Sequence, residues 1–273
     1  MNETIRDIAK PARPDEKRAE PKVSVDVSHQ FGTYVVHDRL QFSVRENEFL
    51  CICGPSGCGK TTLLDMLAGI LKPSRGSILI DRKPVDPKRD NISFVFQEPS
   101  TLPWLTVRDN IATGLRIKRA PAALIRQKVE DIIDLVGLRG FEKYYPHQIS
   151  GGMKQRVAIA RAFATDADLI LMDEPFVSLD QPTRERMQRE VLEIWEHRRR
   201  TIIFVTHNLE EAVFLGDRII ILSRKPARIA AEYEVSLARP RNPLASDFTA
   251  LRAQCARVLH ELQGASSATD ANQ

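Results

Sequence analysis

The chain has 273 residues, of which 42% are hydrophobic and 28% are charged, so it is long enough to enclose one large core or two smaller ones. Its 40 basic and 36 acidic side chains leave a formal net charge of +4, which favours neither nucleic acid nor a strongly acidic partner. No apolar run approaches the roughly 18–20 residues of a membrane-spanning helix, so we expect any membrane contact to go through another subunit.

The first 22 residues contain charges and the prolines Pro11, Pro14 and Pro21, without an apolar core. A signal peptide requires such a core, so residues 1–22 predict a disordered N-terminal tail.

The four cysteines form neither a disulfide framework nor a metal site. Cys51 and Cys53 alternate along an apolar segment, Cys58 lies in a glycine-rich loop and Cys255 lies far downstream. Because paired metal-binding spacings are absent, we expect small, buried or half-buried thiols in a reducing compartment.

Short apolar segments predict the strands of a sheet. Val23–Val27 alternates apolar and polar residues, as a half-buried strand does, and Ser77–Ile80 predicts a second short strand. Four continuous apolar runs are typical of buried parallel strands: Phe49–Cys53, Leu169–Met172, Ile202–Val205 and Ile219–Leu222. Helical patterns lie next to these runs, which favours an α/β fold.

Residues 102–164 are mostly helical in pattern and predict a helical subdomain inserted between parts of the sheet. One face of a helix is formed at i, i+3, i+4 and i+7 by Val129, Ile132, Ile133 and Val136. Gly137 is placed to cap the C-terminus of that helix.

A second amphipathic stripe lies in a C-terminal extension over residues 226–263. Its members are Phe248, Leu251, Cys255, Val258, Leu259 and Leu262. Packing on the main domain is the more common role of such a stripe, and binding of a partner is the alternative. Residues 264–273 are small and polar and predict a frayed end.

The strand Phe49–Cys53 leads into a glycine-rich loop and then into a helical segment that begins at Thr62. The loop consists of Gly54, Pro55, Ser56, Gly57, Cys58, Gly59, Lys60 and Thr61, which matches G-x-x-x-x-G-K-[ST] in the required strand–helix context. Its glycines let backbone N–H groups turn toward phosphate oxygens, and the helix N-terminus adds positive charge. Lys60 is placed to reach the β- and γ-phosphates, and the Thr61 hydroxyl to bind Mg²⁺. The sequence therefore predicts a nucleoside triphosphatase.

Two acids follow the strand Leu169–Met172. Asp173 at the end of a buried strand is a costly charge unless a cation meets it, and Mg²⁺ with its waters would do so. Glu174, one residue further on, is placed to polarise an attacking water. A solvated acidic turn is the alternative.

Three further features are weak in isolation. Ser150, Gly151 and Gly152 precede a helical segment and could hold an anion, although a plain N-cap explains them equally well. Gln97 follows the apolar run Ile92–Phe96 and could join a Mg²⁺ or water shell. His207 ends a strand, where a capping or core histidine is more common than a catalytic one.

Taken together, these residues resemble the nucleotide-binding subunit of ABC transporters over about residues 23–225. The family's elements occur in family order: Gly54–Thr61, Gln97, Ser150–Gly152, Asp173 with Glu174, Ser178–Asp180 and His207. The resemblance implies an α/β P-loop NTPase core sheet with a small antiparallel β subdomain and an inserted helical subdomain.

The resemblance also implies ATP and Mg²⁺ as cofactors and a role for each residue. Two copies of the chain would dimerise head to tail, with each ATP between one copy's phosphate loop and the other's Ser150–Gly152. Glu174, His207 and Lys60 would be catalytic, with His207 on the γ-phosphate. The Mg²⁺ ligands would be Thr61, Gln97 and Asp173. Thr62 would bind the nucleotide together with the phosphate loop, Phe31 would stack on adenine, and Asp180 would communicate across the dimer. A core aromatic of the β subdomain is the alternative for Phe31.

The signature segment departs from the common family pattern at Ile149, usually Leu, and at Met153, usually Gln. Three parts of the chain resemble the sequences of the branch that imports nitrate, taurine and aliphatic sulfonates: Met153, residues 102–110 and Arg239–Pro243. We expect an ATPase at the cytoplasmic face of the membrane that powers such an importer through permease subunits and, indirectly, a substrate-binding protein, with no nucleic acid. The alternatives are an ABC protein acting on ribosomes or DNA and a regulatory module that binds nucleotide without hydrolysis.

Overall fold

The computed structural model describes residues 20–267, so most of the predicted N-terminal tail lies outside the described part. Within it the strands follow in the order β1 (Val23–Phe31), β2 (Tyr34–Val44), β3 (Phe49–Cys53), β4 (Arg75–Ile80), β5 (Lys83–Pro84), β6 (Ile92–Val95), β7 (Leu169–Asp173), β8 (Thr201–Thr206), β9 (Arg218–Leu222) and β10 (Ile229–Glu234). The strands that the sequence predicts are confirmed, including the apolar strand Ile92–Phe96, which the structure shows as β6.

A small antiparallel sheet has the order β2-β1-β4-β5, which confirms the expected β subdomain. Alternate residues of β1 from Val23 to Val27 are buried, as their pattern predicts. β2 was not predicted. Its pairing with β1 shifts register between Val27 and Gln30, and Arg39 within it has a φ of 54°, so its sequence does not alternate cleanly.

The main sheet has the order β10-β9-β3-β8-β7-β6. Five strands run parallel to one another, in the order β9, β3, β8, β7 and β6. The sixth strand, β10, pairs antiparallel with β9 at one edge. β3, β7, β8 and β9 are buried along their whole length, which explains their continuous apolar sequences.

Two cores cover the two faces of this sheet. Successive residues of each strand point to opposite faces, so Cys51 belongs to one core and its neighbours Leu50 and Ile52 to the other. One core includes the small sheet and the helix that follows the glycine-rich loop, and the other includes the remaining helices.

The helices are α1 (Lys60–Leu67), α2 (Val107–Ile117), α3 (Ala122–Leu135), α4 (Gly151–Ala164), α5 (Gln181–Arg198), α6 (Leu209–Leu215) and α7 (Ser246–Ser267). α2, α3 and α4 lie within the predicted helical segment. Val129, Ile132 and Ile133 of α3 are buried, and Gly137 has a φ of 62°, as its predicted capping role requires. Asn110 is fully buried, and its amide bonds the carbonyls of Leu102, Leu105 and Thr106, which ties residues 102–106 to α2.

α7 packs on the main domain, as the more common role of its stripe predicts. Phe248 and Cys255 are buried in the larger core, and the other members of the stripe pack against it. α7 ends at Ser267, four residues into the segment predicted to be frayed, and residues 268–273 lie outside the described part. The domain boundaries themselves stay predictions.

All four cysteines are free and buried, in agreement with the sequence. Burial raises the pKa of each thiol, which keeps these side chains protonated and unreactive.

Candidate nucleotide-binding and hydrolysis site

The glycine-rich loop leaves the carboxyl end of β3 and enters α1. Gly57 and Gly59 have φ angles of 76° and 102°, a region that disfavours residues with a Cβ. Gly59 is the N-cap of α1 and supplies no side-chain cap, so the amides of the first turn remain available to an anion. The loop therefore has the backbone of a phosphate cradle.

A buried histidine that the sequence did not single out contacts the backbone of this loop. His37 on β2 is fully buried, and its Nε2 lies 3.0 Å from the carbonyl oxygen of Gly59, which also accepts a bond from the backbone N–H of Leu63. Burial lowers the pKa of His37 to about 4, so the neutral ring donates from Nε2. No local pattern predicts this contact, because the partners are 22 residues apart.

Lys60 is buried at the start of α1. Its Nζ donates to the carbonyl oxygens of Gly54 and Pro55 at 3.0 and 3.2 Å, and lies 3.6 Å from Oε1 of Glu174. The ammonium group is thus held over the loop and beside the second acid, where a transferred phosphoryl group would develop charge.

Thr61 and Asp173 meet across the site. The hydroxyl of Thr61 donates to Oδ2 of Asp173 at 2.7 Å, which joins the first turn of α1 to the end of β7. Burial raises the pKa of Asp173, and the bond from Thr61 acts in the opposite direction. Hydroxyl and carboxylate oxygens at one point are the hard ligands that Mg²⁺ prefers.

Glu174 and His207 form an acid–base pair beside Lys60. Oε2 of Glu174 lies 2.7 Å from Nδ1 of His207, and the backbone N–H of Glu174 donates to Val205 O on β8 at 2.9 Å. Glu174 has a φ of 43°, which turns its side chain out of the β7 direction toward Lys60 and His207. The alternative of a solvated acidic turn does not fit these contacts, and neither does a core histidine, because the His207 side chain is 51% exposed.

The signature residues lie at the N-terminus of α4. Ser150 is the N-cap, and its oxygen accepts from the backbone N–H of Met153 at 3.3 Å. A Cβ at Gly152 would contact Leu179 and Thr183 at 3.4 and 3.6 Å, so this glycine lies against the start of α5. Among residues 20–267, none of the hydrogen bonds of Ser150 reaches the phosphate loop.

Asp180, Gln97 and Phe31 lie outside this set of contacts. Asp180 caps α5 by accepting from Thr183 N at 3.1 Å, and hydrogen bonds from Thr183 hold its pKa below the usual value. Gln97 is exposed two residues after β6. Phe31 is 53% exposed with an edge contact to His29, so the alternative of a core aromatic is wrong.

A model of the ABC transporter family matches residues 37–177, more than half of the chain. The chain belongs to this family. It is an ATP-binding subunit and an ATPase.

Similar proteins support the assignment. An uncharacterised ABC transporter ATP-binding protein of Methanocaldococcus jannaschii is 44% identical over 224 residues, which cover 82% of this chain and 84% of that protein. An aliphatic sulfonates import ATP-binding protein of Bacillus thuringiensis subsp. konkukian is 44% identical over 231 residues, 85% of this chain and 91% of that protein.

Two solved structures resemble the fold. A dimeric ATP-binding cassette in a post-hydrolysis state with ADP and Pi matches with a TM-score of 0.69 and 31% identity, over 79% of this chain and 100% of that chain. The CbiO1 protein of Clostridium perfringens, part of the transporter complex CbiONQ, matches with a TM-score of 0.72 over 89% of this chain and 99% of that chain. The identity to CbiO1 is 24%, so this likeness supports the fold alone.

ABC ATPases use ATP with Mg²⁺, and the residues present fit both. When bound, Mg²⁺ supplies positive charge beside the β- and γ-phosphates. Thr61 and Asp173 are in contact and would hold it, with Gln97 as a further candidate ligand. Within the described ranges there is no group of three or more His, Cys, Asp and Glu residues that could hold a metal ion.

Proposed function

We propose that this ABC ATPase energises an importer for a small anion or organic compound of the nitrate, sulfonate or taurine type. The aliphatic sulfonates import ATP-binding proteins among its relatives support this substrate class, as do Met153 and residues 102–110. The ATPase would be held at the cytoplasmic face of the membrane by permease subunits that work with a substrate-binding protein. No helix of residues 20–267 is long and apolar enough to cross a bilayer.

The permease contact is assigned to the segment that leads into α2. Trp104 is 70% exposed, while the backbone around it is held by Asn110. A rigid segment with an exposed aromatic side chain suits a protein interface. The helical subdomain would in this way receive movement from the nucleotide site and pass it to the permease.

The single observation that carries the hydrolytic role is the placement of Glu174 between Lys60 and His207. Oε1 faces the ammonium group at 3.6 Å and Oε2 faces the imidazole at 2.7 Å. In this role Glu174 orients a water toward the γ-phosphate and accepts its proton. His207 holds the carboxylate in place and lies close enough to contact the γ-phosphate, and Lys60 balances the developing charge.

The site is completed by a second copy of the chain. Ser150, Gly151 and Gly152 begin α4, and their free amides would bind the γ-phosphate held by the partner's loop. Asp180 lies on the neighbouring loop and would contact the partner subunit, and Phe31 would stack on adenine. ATP binding would close this head-to-tail dimer, and hydrolysis would open it.

The test is Glu174→Gln in the full chain. We expect nucleotide binding to stay within twofold of the parent, while turnover falls at least about 100-fold because an amide cannot accept the proton. Light scattering with Mg-ATP should show dimers of the variant, since bound ATP is not consumed. Equal steady-state hydrolysis by variant and parent would remove Glu174 from its role, and a monomer at saturating ATP would contradict the composite site.

The substrate class is tested in membrane vesicles that contain this chain with the permease and binding protein encoded beside it. We expect ATP-dependent uptake of one of nitrate, taurine or an alkanesulfonate, and loss of that uptake with Glu174→Gln. Uptake of none of the three, in vesicles that hydrolyse ATP, would exclude this branch while leaving the ATPase assignment intact.

A further inference from the structure

A series of polar contacts lies behind the pair formed by Glu174 and His207. The hydroxyl of Thr206 donates to Oε2 of Glu211 at 2.6 Å and accepts from the backbone N–H of Asn208 at 3.0 Å. β8 ends at Thr206 and α6 begins at Leu209, so these two bonds fix the short turn that carries His207.

Glu211 is a buried acid that lies beside an arginine. The residue is 4% exposed, and its Oε1 lies 3.8 Å from Nε of Arg184 on α5. Burial raises the pKa of Glu211, and the Thr206 hydroxyl and the charge of Arg184 act in the opposite direction. A buried ion pair is weak evidence for stability, because apolar residues of similar volume often stabilise a fold as well or better. The contribution of this pair to stability is therefore expected to be small.

The other end of Arg184 holds the Ser178–Asp180 loop. Its Nη2 donates to the carbonyl oxygen of Leu179 at 2.9 Å, next to the N-cap residue Asp180 of α5. A small cavity of about 30 Å³ is lined by Arg184 and Glu211 together with Glu174 and His207. One ion pair thus borders the hydrolytic groups and binds the loop next to them.

We propose that Arg184 and Glu211 are a positioning pair for ATP hydrolysis, which couples the backbone of the Ser178–Asp180 loop to the turn that carries His207. Movement of that loop at the dimer interface would pass through the Arg184 guanidinium to Glu211 and Thr206, and so set the position of His207 against Glu174. The inference rests on the proposed roles of His207, Glu174 and the second subunit. In this role neither residue of the pair would contact the nucleotide.

The experiment measures kcat and KM for ATP of the full chain in Arg184→Met, Glu211→Gln and the double variant. Each single change should lower kcat about tenfold with KM and nucleotide affinity within twofold, because the site is misaligned and not removed. The double variant should fall no further than the weaker single variant, since both changes break one connection. Unchanged kcat in both single variants, or losses that multiply in the double variant, overturns the pair.

Matched controls come from the same helices. Arg186→Met removes an arginine of α5 that pairs with Glu190, and Glu210→Gln removes an acid of α6 that pairs with Arg252. Both should keep kcat within twofold of the parent. A tenfold loss in these controls would mean that any charge change on α5 or α6 slows turnover, and it would overturn the specific role of Arg184 and Glu211.

Thr206 provides a second test if a buried charge change prevents folding. Thr206→Ser keeps the hydroxyl and should retain kcat, whereas Thr206→Val keeps the volume and should lose about tenfold. Equal kcat in the two variants overturns the coupling. Glu174→Gln, measured in parallel, separates the two hypotheses: if it is inactive while the pair variants turn over normally, only the pair fails. If it turns over normally, the proposed role of Glu174 fails, and with it the positioning role that rests on it.

Discussion

The two halves of the nucleotide site differ in how their polar groups are bonded. In the phosphate-loop half, Lys60, Thr61 and Glu174 all bond to other residues of the same half. In the signature half, the side chains of Ser150 and Asp180 accept from the first turns of their own helices, and among residues 20–267 neither bonds to the phosphate loop. The first half is therefore assembled by the fold of one chain, whereas the proposed dimer would complete the second half with another subunit.

The shared site is tested most directly by damaging a different half of the site in each of two chains. Lys60→Met and Ser150→Arg should each lower turnover at least about 100-fold on their own, by loss of phosphate charge and by obstruction of α4. An equimolar mixture should recover about a quarter of parental turnover, because half of the dimers are mixed and each keeps one intact site of two. Steady-state phosphate release measures this, and a mixture as inactive as its parts would contradict the shared site.

The metal tests the phosphate-loop half alone. Asp173→Asn should lower turnover about 100-fold at physiological Mg²⁺, because the amide removes the negative charge that Asp173 offers to the cation. Raising the Mg²⁺ concentration should restore part of the loss, and chelation should abolish turnover in the parent. Asp168→Asn, which changes an acid before the same strand, serves as the control. Equal Mg²⁺ dependence in the parent and Asp173→Asn would contradict the assigned ligand.

Acid stability tests how the interior supports the loop. The pKa of His37 is lowered from 6.5 to about 4 by burial, so the unfolded chain takes up the proton first as the pH falls. Stability contributed by the neutral ring is present above pH 6.5 and is lost between about pH 6.5 and 4.

The parent should therefore lose about 2 kcal/mol more than His37→Leu in free energy of unfolding between pH 7 and pH 5. Urea unfolding at the two pH values measures the difference. His260→Gln, at an exposed position of α7, should behave as the parent does. An identical pH dependence in parent and His37→Leu would show that this histidine is not buried in its neutral form.

The smallest expected effect concerns the edge of the site. Phe31→Ala should weaken ATP binding about tenfold, since stacking on a base contributes about 1–3 kcal/mol. The melting temperature should stay close to that of the parent, because Phe31 is exposed. Phe141→Ala removes an exposed aromatic of the helical subdomain and should leave ATP affinity unchanged. A lower melting temperature with unchanged ATP affinity would contradict adenine stacking by Phe31 and indicate a structural role.

The buried strands and the phosphate loop could be predicted from the sequence. Phe49–Cys53 and Leu169–Met172 lie in the structure where their continuous apolar patterns predict, because a strand buried on both faces has no polar position. The loop Gly54–Thr61 could also be predicted, because its glycines at positions 57 and 59 adopt positive φ angles that depend only on the local backbone. By contrast, β2 was missed where a register shift interrupts its alternation.

Tertiary structure alone decided which polar residues meet. The sequence singled out neither His37 nor Glu211, yet both are buried and bond to turns of the site. Their partners lie on separate elements, and no periodicity in the sequence encodes such a contact. Glu174 and His207 are 33 residues apart and meet because β7 and β8 are adjacent in the sheet and end at the same edge. The sequence specified the groups that handle the phosphate, and the order of the strands specified how those groups are held.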